Sequence, residues 1–221
     1  MRFRLLRHVF AWAVCLPAVA MVAGQPARAA SPLALKFVVH ASFFSEETHQ
    51  PNALDPQAFV KDPSVPSAVG PQKIEHAAGY RPALLSDAAR TLVFTAAGES
   101  LGFTLGQWLG AKGSVTITQR ASGGARIVAH FTGLRPNGVY SLFENHFDQQ
   151  PVGFTPLDGT GKRNSFRAKS DGTATIAVTA PEMPTHANAV LLVYHSDHTS
   201  HGTSRGEIGI NAHHQLIARL P

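Results

Sequence analysis

The strongest constraint on this chain is the pattern of its C-terminal half, where short apolar runs are cut at close intervals by glycine and proline turns. Ser114 to Gln119 alternates Val115 and Ile117 with Thr116 and Thr118, the period of two that lays one strand face on a core. Ser122-Gly123-Gly124 turns the chain and Arg126 to Thr132 returns. Arg135-Pro136-Asn137-Gly138 is a turn, because Pro fixes φ and Asn-Gly accepts positive φ. Val139 to Phe147 follows as a strand. Ser165–Ala168 and Thr173–Thr179, joined by Lys169-Ser170-Asp171-Gly172, read as a hairpin. Ala189 to Tyr194 is a continuous apolar run of buried-strand character, and Gln215 to Leu220 closes the chain.

The N-terminal half is less regular. Leu35 to Phe43 reads as a first strand, Thr91 to Thr95 as a short one, and Leu105 to Leu109 as either a helical turn or a bend. From about 46 to 88 the chain carries Pro51, Pro56, Pro63, Pro66, Pro71 and Pro82. That composition predicts a long irregular excursion, of the kind that is functional or disordered. No helical stripe of useful length stands outside the first thirty residues. The expected fold is all-β, an antiparallel β-sandwich of Greek-key type with a long Pro-rich N-terminal loop, forming one domain over 30–221.

Residues 1–29 read as a secretory signal peptide. Arg2, Arg4 and Arg7 precede an apolar run from His8 to Ala23, and Ala27-Arg28-Ala29 offers small residues before a cut. A membrane anchor is the alternative, but the run is short and broken by Pro17 and Gly24. The expected location is therefore exported, periplasmic or secreted, with no membrane span in the mature chain. The formal charge is +5. Four of the 19 basic residues and none of the 14 acidic ones lie in the leader, leaving the remainder close to neutral. A broad nucleic-acid footprint is not expected. The single cysteine, Cys15, also lies in the leader, so the mature chain has no disulfide, thiolate metal site or Cys nucleophile.

Two motif matches fail on context, and no catalytic residue is assigned. Gly202-Thr203-Ser204-Arg205-Gly206 fits G-x-S-x-G but follows the polar run His198-Thr199-Ser200-His201 where a nucleophile elbow needs an apolar strand. Gly159-Thr160-Gly161-Lys162 resembles the end of a phosphate loop, with Arg163 where Ser or Thr must reach magnesium. No H-E-x-x-H occurs.

The chemical signal is histidine. Eleven of the 12 lie beyond the leader, six of them in the last 36 residues. His195, His198 and His201 surround Asp197 directly after the apolar run. His213 and His214 open the final strand, which sends them to opposite faces, His214 with Leu216 and Leu220. Glu144 and His146 share one strand face. Neutral imidazole with a carboxylate suits Cu(II) or Zn(II). Met183, the one methionine beyond the leader, is insufficient for a thioether Cu(I) site. Asp197 and Glu144 are candidates to hold imidazole rings from behind. His195 is expected to lie near at least one of His198, His201, His213 and His214, with His213 or His214 directly across the strand pair. The competing reading is solvated histidines that bind metal only adventitiously, with His130 a hydrogen-bonded core residue.

Ile127 to Tyr140, with its strand, Gly-Leu-x-Pro turn and following strand, resembles Cu/Zn superoxide dismutase-like and chordin-type sandwich domains over about thirty residues. The whole chain also resembles uncharacterised bacterial exported proteins. In the dismutases an H-x-H dyad after the turn supplies copper ligands. Here Leu142-Phe143-Glu144-Asn145-His146 offers His146 alone, and the disulfide cysteines are absent. The resemblance thus implies an exported sandwich rather than dismutase activity. Two functions follow. One is Cu(II) or Zn(II) binding for metal handling through the C-terminal histidines. The other is a non-catalytic module for a small ligand or an envelope protein, with the Pro-rich segment as its contact loop and Phe43, Phe44, Tyr80 and Trp108 as anchors.

Overall fold

The structure is a computed structural model that describes residues 31–221; the leader, its cut site and Cys15 lie outside the described residues. The sequence alternation is realised as an antiparallel sandwich. One sheet runs in the order Leu33–Lys36, Lys112–Gln119, Ala125–Thr132, Ala174–Ala180. Ala125, Ile127, Ala129 and Phe131 turn inward while Arg126, His130 and Thr132 stay exposed. His130 is therefore not a core histidine: its Nδ1 meets Thr175 Oγ1 at 2.9 Å on the outer face.

The facing sheet runs Gly153–Pro156, Val139–His146, Asn188–His195, Ala212–Arg219, Val38–Val39, with Ser165–Arg167 also pairing on Val139–His146. Tyr140, Leu142, Val190, Leu192, Tyr194 and Leu216 meet the first sheet through the main core. The turn before Val139 closes as the sequence predicts, with Asn137 at φ 60 and Gly138 N donating to Arg135 O at 2.9 Å. Tyr140 Oη accepts from Arg135 N at 2.9 Å and pins the turn to the core.

Every residue of Asn188–His195 is buried, so the second sheet is covered on both faces. A helix, His40–Glu47, packs with Phe43 over Phe143, Leu191, Val193 and Ile217. This corrects the expected strand over Leu35–Phe43. The strands stop at Lys36 and at Val39, and the chain then coils. Ser45 Oγ ties the helix down by bonding the carbonyl and the N–H of Leu54 at 3.1 and 3.0 Å.

The Pro-rich stretch is likewise ordered rather than an irregular loop. It supplies Leu54–Lys61, Ala68–Val69, Glu75–His76 and Tyr80–Leu84. Leu54–Lys61 and Tyr80–Leu84 join Leu92–Phe94 and Ser100–Thr104 in a third sheet. The prolines sit where a strand tolerates them. Pro56 falls in the register shift between Asp55 and Phe59, and Pro82 lies on the edge strand of that sheet. Asp55, with no solvent exposure, accepts from Trp108 Nε1 at 2.7 Å and from the N–H groups of Gln57 and Ala58 at 2.8 and 3.0 Å. Burial raises its pKa to about 6 against the pull of these hydrogen bonds.

Leu105–Leu109 is a helical turn, begun by a capping box in which Thr104 Oγ1 accepts from Gln107 N and Gln107 Oε1 accepts from Thr104 N. The hairpin expected over 165–179 does not form. Ser165–Arg167 pairs with Val139–His146, whereas Ala174–Ala180 pairs with Ala125–Thr132. The Lys169–Gly172 turn closes as read but carries the chain from one sheet to the other.

Candidate metal centre

Asn188–His195 and Ala212–Arg219 are antiparallel neighbours, as the short Gly-rich return between them predicts. Their register holds a correction. Leu192 opposes Leu216, but Val193 opposes His214, so Gln215 is an extra residue in a bulge. Everything before it slips by one place. Ala212, not His213 or His214, lies across from His195.

The slip separates the histidines. His213 falls opposite Tyr194, among core aromatics beside Trp108. Its Nδ1 donates to Gln57 O at 2.8 Å, and burial lowers its pKa to about 4. His214 turns to the face of Val193, not that of Leu216, and lies against His40 and Phe154. His146 sits at the far end of the strand whose Val139 opposes His195, about 20 Å away. Both its nitrogens are engaged, with Thr155 Oγ1 at 2.8 Å and Asn188 Nδ2 at 3.2 Å. Glu144 is on that same distant strand and supports none of the C-terminal histidines; burial raises its pKa. His198, exposed and at φ 61 in the turn after the strand, is not among the residues that converge.

Three predicted residues do converge. His195, Asp197 and His201 each offer a ligand atom, and these lie within 4.8 Å of one another. His195 and His201 ring centroids are 5.3 Å apart, and His201 Nε2 is 3.0 Å from Asp197 Oδ2. That contact lacks hydrogen-bond alignment: His201 Nε2 and His195 Nδ1 are both buried without a hydrogen-bond partner. Two orphaned imidazole nitrogens beside a carboxylate are an anomaly in a packed protein and the donor set a borderline divalent ion takes. Asp197, expected to steady a ring, itself offers an oxygen to the group.

The ring of His195 is held by a residue that sequence reading misses. Val139 opposes His195 and Ser141 opposes Val193, so Ser141 is a diagonal neighbour on the same face. Its Oγ meets His195 Nε2 at 2.8 Å. With the proton on Nε2 donated to Ser141, the lone pair is on Nδ1, the orphaned atom. Only the strand pairing discloses Ser141. Burial, then the nearby His201, pushes His195 down to about 4, so the ring is neutral and ligand-ready.

The loop carrying Asp197 and His201 is built by local bonds. His198 N returns to His195 O at 3.2 Å, and Asp197 Oδ1 accepts from Thr199 N at 3.1 Å. The backbone of Gly202 abuts Gly161, which stands at φ +72 and has no room for a Cβ. The phosphate-loop look-alike is filled by its own anion. Asp158 accepts from the N–H groups of Thr160, Gly161, Lys162 and Arg163. Ser204 is exposed in a turn with no helix following it, and its Oγ accepts from Gly206 N at 3.1 Å.

Of the four anchors of the interaction-module reading, two are packed within the fold, while Phe43 and Phe44 line an open cavity. Trp108 is buried, and Tyr80 packs on Phe94. Among the described residues the exposed large hydrophobics are Val38, Val69 and Leu92, and no helix is long and apolar enough to cross a membrane. Compared with protein-family models, curated proteins and solved structures, the chain has no match in any of the three.

Proposed function

We propose that this protein binds one Cu(II) or Zn(II) ion per chain through His195, Asp197 and His201, and handles that metal outside the cytoplasm. The carrying observation is the convergence of His195, Asp197 and His201 within 4.8 Å, together with two buried imidazole nitrogens, His195 Nδ1 and His201 Nε2, that make no hydrogen bond. A bound cation removes both unsatisfied groups together, each of which costs about 1–3 kcal/mol. Asp197 and His201 lie on a partly exposed loop, with 35% and 24% side-chain exposure, so the ion has a path in and out. Three protein ligands leave a fourth position open for exchange with water or a carrier. The basic-apolar leader supports export, and the lack of thiols beyond it leaves nitrogen and oxygen as the donors.

Calorimetric titration of the EDTA-treated protein with Zn(II) and Cu(II) tests this reading. One ion per chain is expected. His201→Ala and Asp197→Asn should each weaken binding by on the order of 100-fold or more, while His198→Ala leaves it unchanged. Weak binding that fades evenly as any histidine is removed would mark the cluster as adventitious.

A further inference from the structure

A second group of buried polar atoms lies on the same face of the second sheet as the candidate metal centre, centred on His214, two residues beyond the Ala212 that opposes His195. Between helix His40–Glu47 and the Val139–His146 edge is a cavity of about 520 Å³, within the range of small-molecule sites. Phe43, Phe44, Phe147 and Phe154 supply apolar walls, and His40, His214 and Asn145 supply polar ones.

The proton positions follow from the bonds. The N–H of His214 donates to Gln57 Oε1 at 2.7 Å, which fixes that amide and sends its Nε2 to Gln72 Oε1 at 2.6 Å. Arg205 Nη1 lies 3.0 Å from His214 Nε2. A guanidinium only donates, so His214 Nε2 accepts and its proton is on Nδ1. Gln57 Nε2, 3.1 Å from that Nδ1, competes as a donor, but it is neutral and already bonded to Gln72 Oε1, and the charged guanidinium outweighs it. His214 Nδ1 is 3.4 Å from His40 Nε2, the acceptor in reach, which leaves the His40 proton on Nδ1. Burial, reinforced by Arg205, keeps His40 neutral, with its pKa lowered to about 3.

This chain of bonds ends on nothing. His40 Nδ1 is buried without a partner, and so is Asn145 Oδ1. The two residues are 4% exposed and line the same cavity. One is an unused N–H donor and the other an unused carbonyl acceptor. The surrounding charge is positive. Arg205 stacks on Phe154, 3.3 Å from the ring centroid, and has no carboxylate at ion-pair distance among the described residues. Arg219 lies over Phe147 at 4.8 Å and is balanced by Glu47 at 2.9 Å.

We infer that this cavity binds a small aromatic hydroxy acid, whose ring packs among the phenylalanines, whose carboxylate takes the His40 N–H in the field of Arg205, and whose hydroxyl donates to Asn145 Oδ1. A cationic aromatic is disfavoured because arginines already cover the faces of Phe147 and Phe154. The site shares no residue with the metal centre and does not depend on it.

Titration of the full protein in EDTA with 4-hydroxybenzoate, benzoate and tyramine tests the inference. Saturable binding is expected in the order 4-hydroxybenzoate, benzoate, tyramine, with about tenfold between the first two for one hydrogen bond. Asn145→Leu should bring 4-hydroxybenzoate down to the affinity of benzoate while leaving benzoate unchanged, a readout that a misfolded variant would not give. His40→Phe should weaken both acids at least tenfold. Tyramine binding as tightly as 4-hydroxybenzoate, affinities unmoved by either substitution, or no saturation by 4-hydroxybenzoate at millimolar concentration would overturn it.

Discussion

Ser141 is the residue that holds the His195 ring in the candidate metal centre. Its Oγ meets His195 Nε2, and where it accepts that proton the lone pair is left on Nδ1, the nitrogen without a partner. Ser141→Ala should lower Zn(II) affinity about 10- to 100-fold, the usual cost of losing a hydrogen bond behind a ligand. Ser141→Thr, which keeps the hydroxyl, should retain most of the affinity. Calorimetric titration of both variants decides between orientation and mere packing; equal losses in the two would point to packing. His195, Asp197 and His201 come together because all three lie within one short segment at a strand end. Ser141 is more than fifty positions away and becomes a neighbour only through register. His40 and Gln57 are hidden for the same reason, since each meets His214 from the other end of the chain.

Elements were legible where periodicity was strict and obscure where one residue broke it. The alternating strands between Ser114 and Thr132 stand almost as read. The pairing of Asn188–His195 with Ala212–Arg219 was also readable, from the short glycine-rich return. Which histidines it brings together was not, because one bulged residue, Gln215, turns every side chain before it to the opposite face. Gln215 pays for its unpaired position with a bond from Nε2 to Trp108 O at 3.0 Å, a partner that no local pattern reveals. The helix His40–Glu47 lacks a side-chain N-cap, so its start carries no local signal, whereas the Thr104–Gln107 box does. The loop bearing His201 depends on the contact of Gly161 with Gly202. An alanine at 161 would place Cβ 2.3 Å from the Gly202 carbonyl carbon at φ +72. Gly161→Ala should therefore lower metal affinity about tenfold and stability by roughly 1–3 kcal/mol. Gly123→Ala, at φ +88 with open space around it, should cost only about 1 kcal/mol of backbone strain and leave metal binding alone. Denaturant midpoints and titrations on the two proteins check the contrast.

At the scale of the whole molecule, the sandwich stores unprotonated imidazole. Burial, with smaller charge effects, holds His40 at about 3, His195 and His213 at about 4, and His214 well below its ordinary value. In the unfolded chain each takes a proton near 6.5. Between these values the unfolded state binds more protons, so stability is full above about 6.5 and falls as pH falls toward 4. Asp55, raised to about 6, and Glu144, also raised by burial, act in the opposite sense at the acid end but are two groups against four. The melting temperature of the metal-free protein should therefore drop by on the order of 10 °C between pH 7 and pH 4.5; a flat profile would show that these rings are not held neutral. The proposed metal centre would turn two of the orphaned nitrogens to use, and its most direct test is anomalous diffraction from crystals grown with Zn(II), recorded on both sides of the zinc edge. The account predicts one strong peak per chain, about 2.0–2.2 Å from His195 Nδ1, His201 Nε2 and an Asp197 carboxylate oxygen. Peaks at His198, at His146 or scattered over the surface, with none between His195 and His201, would contradict it.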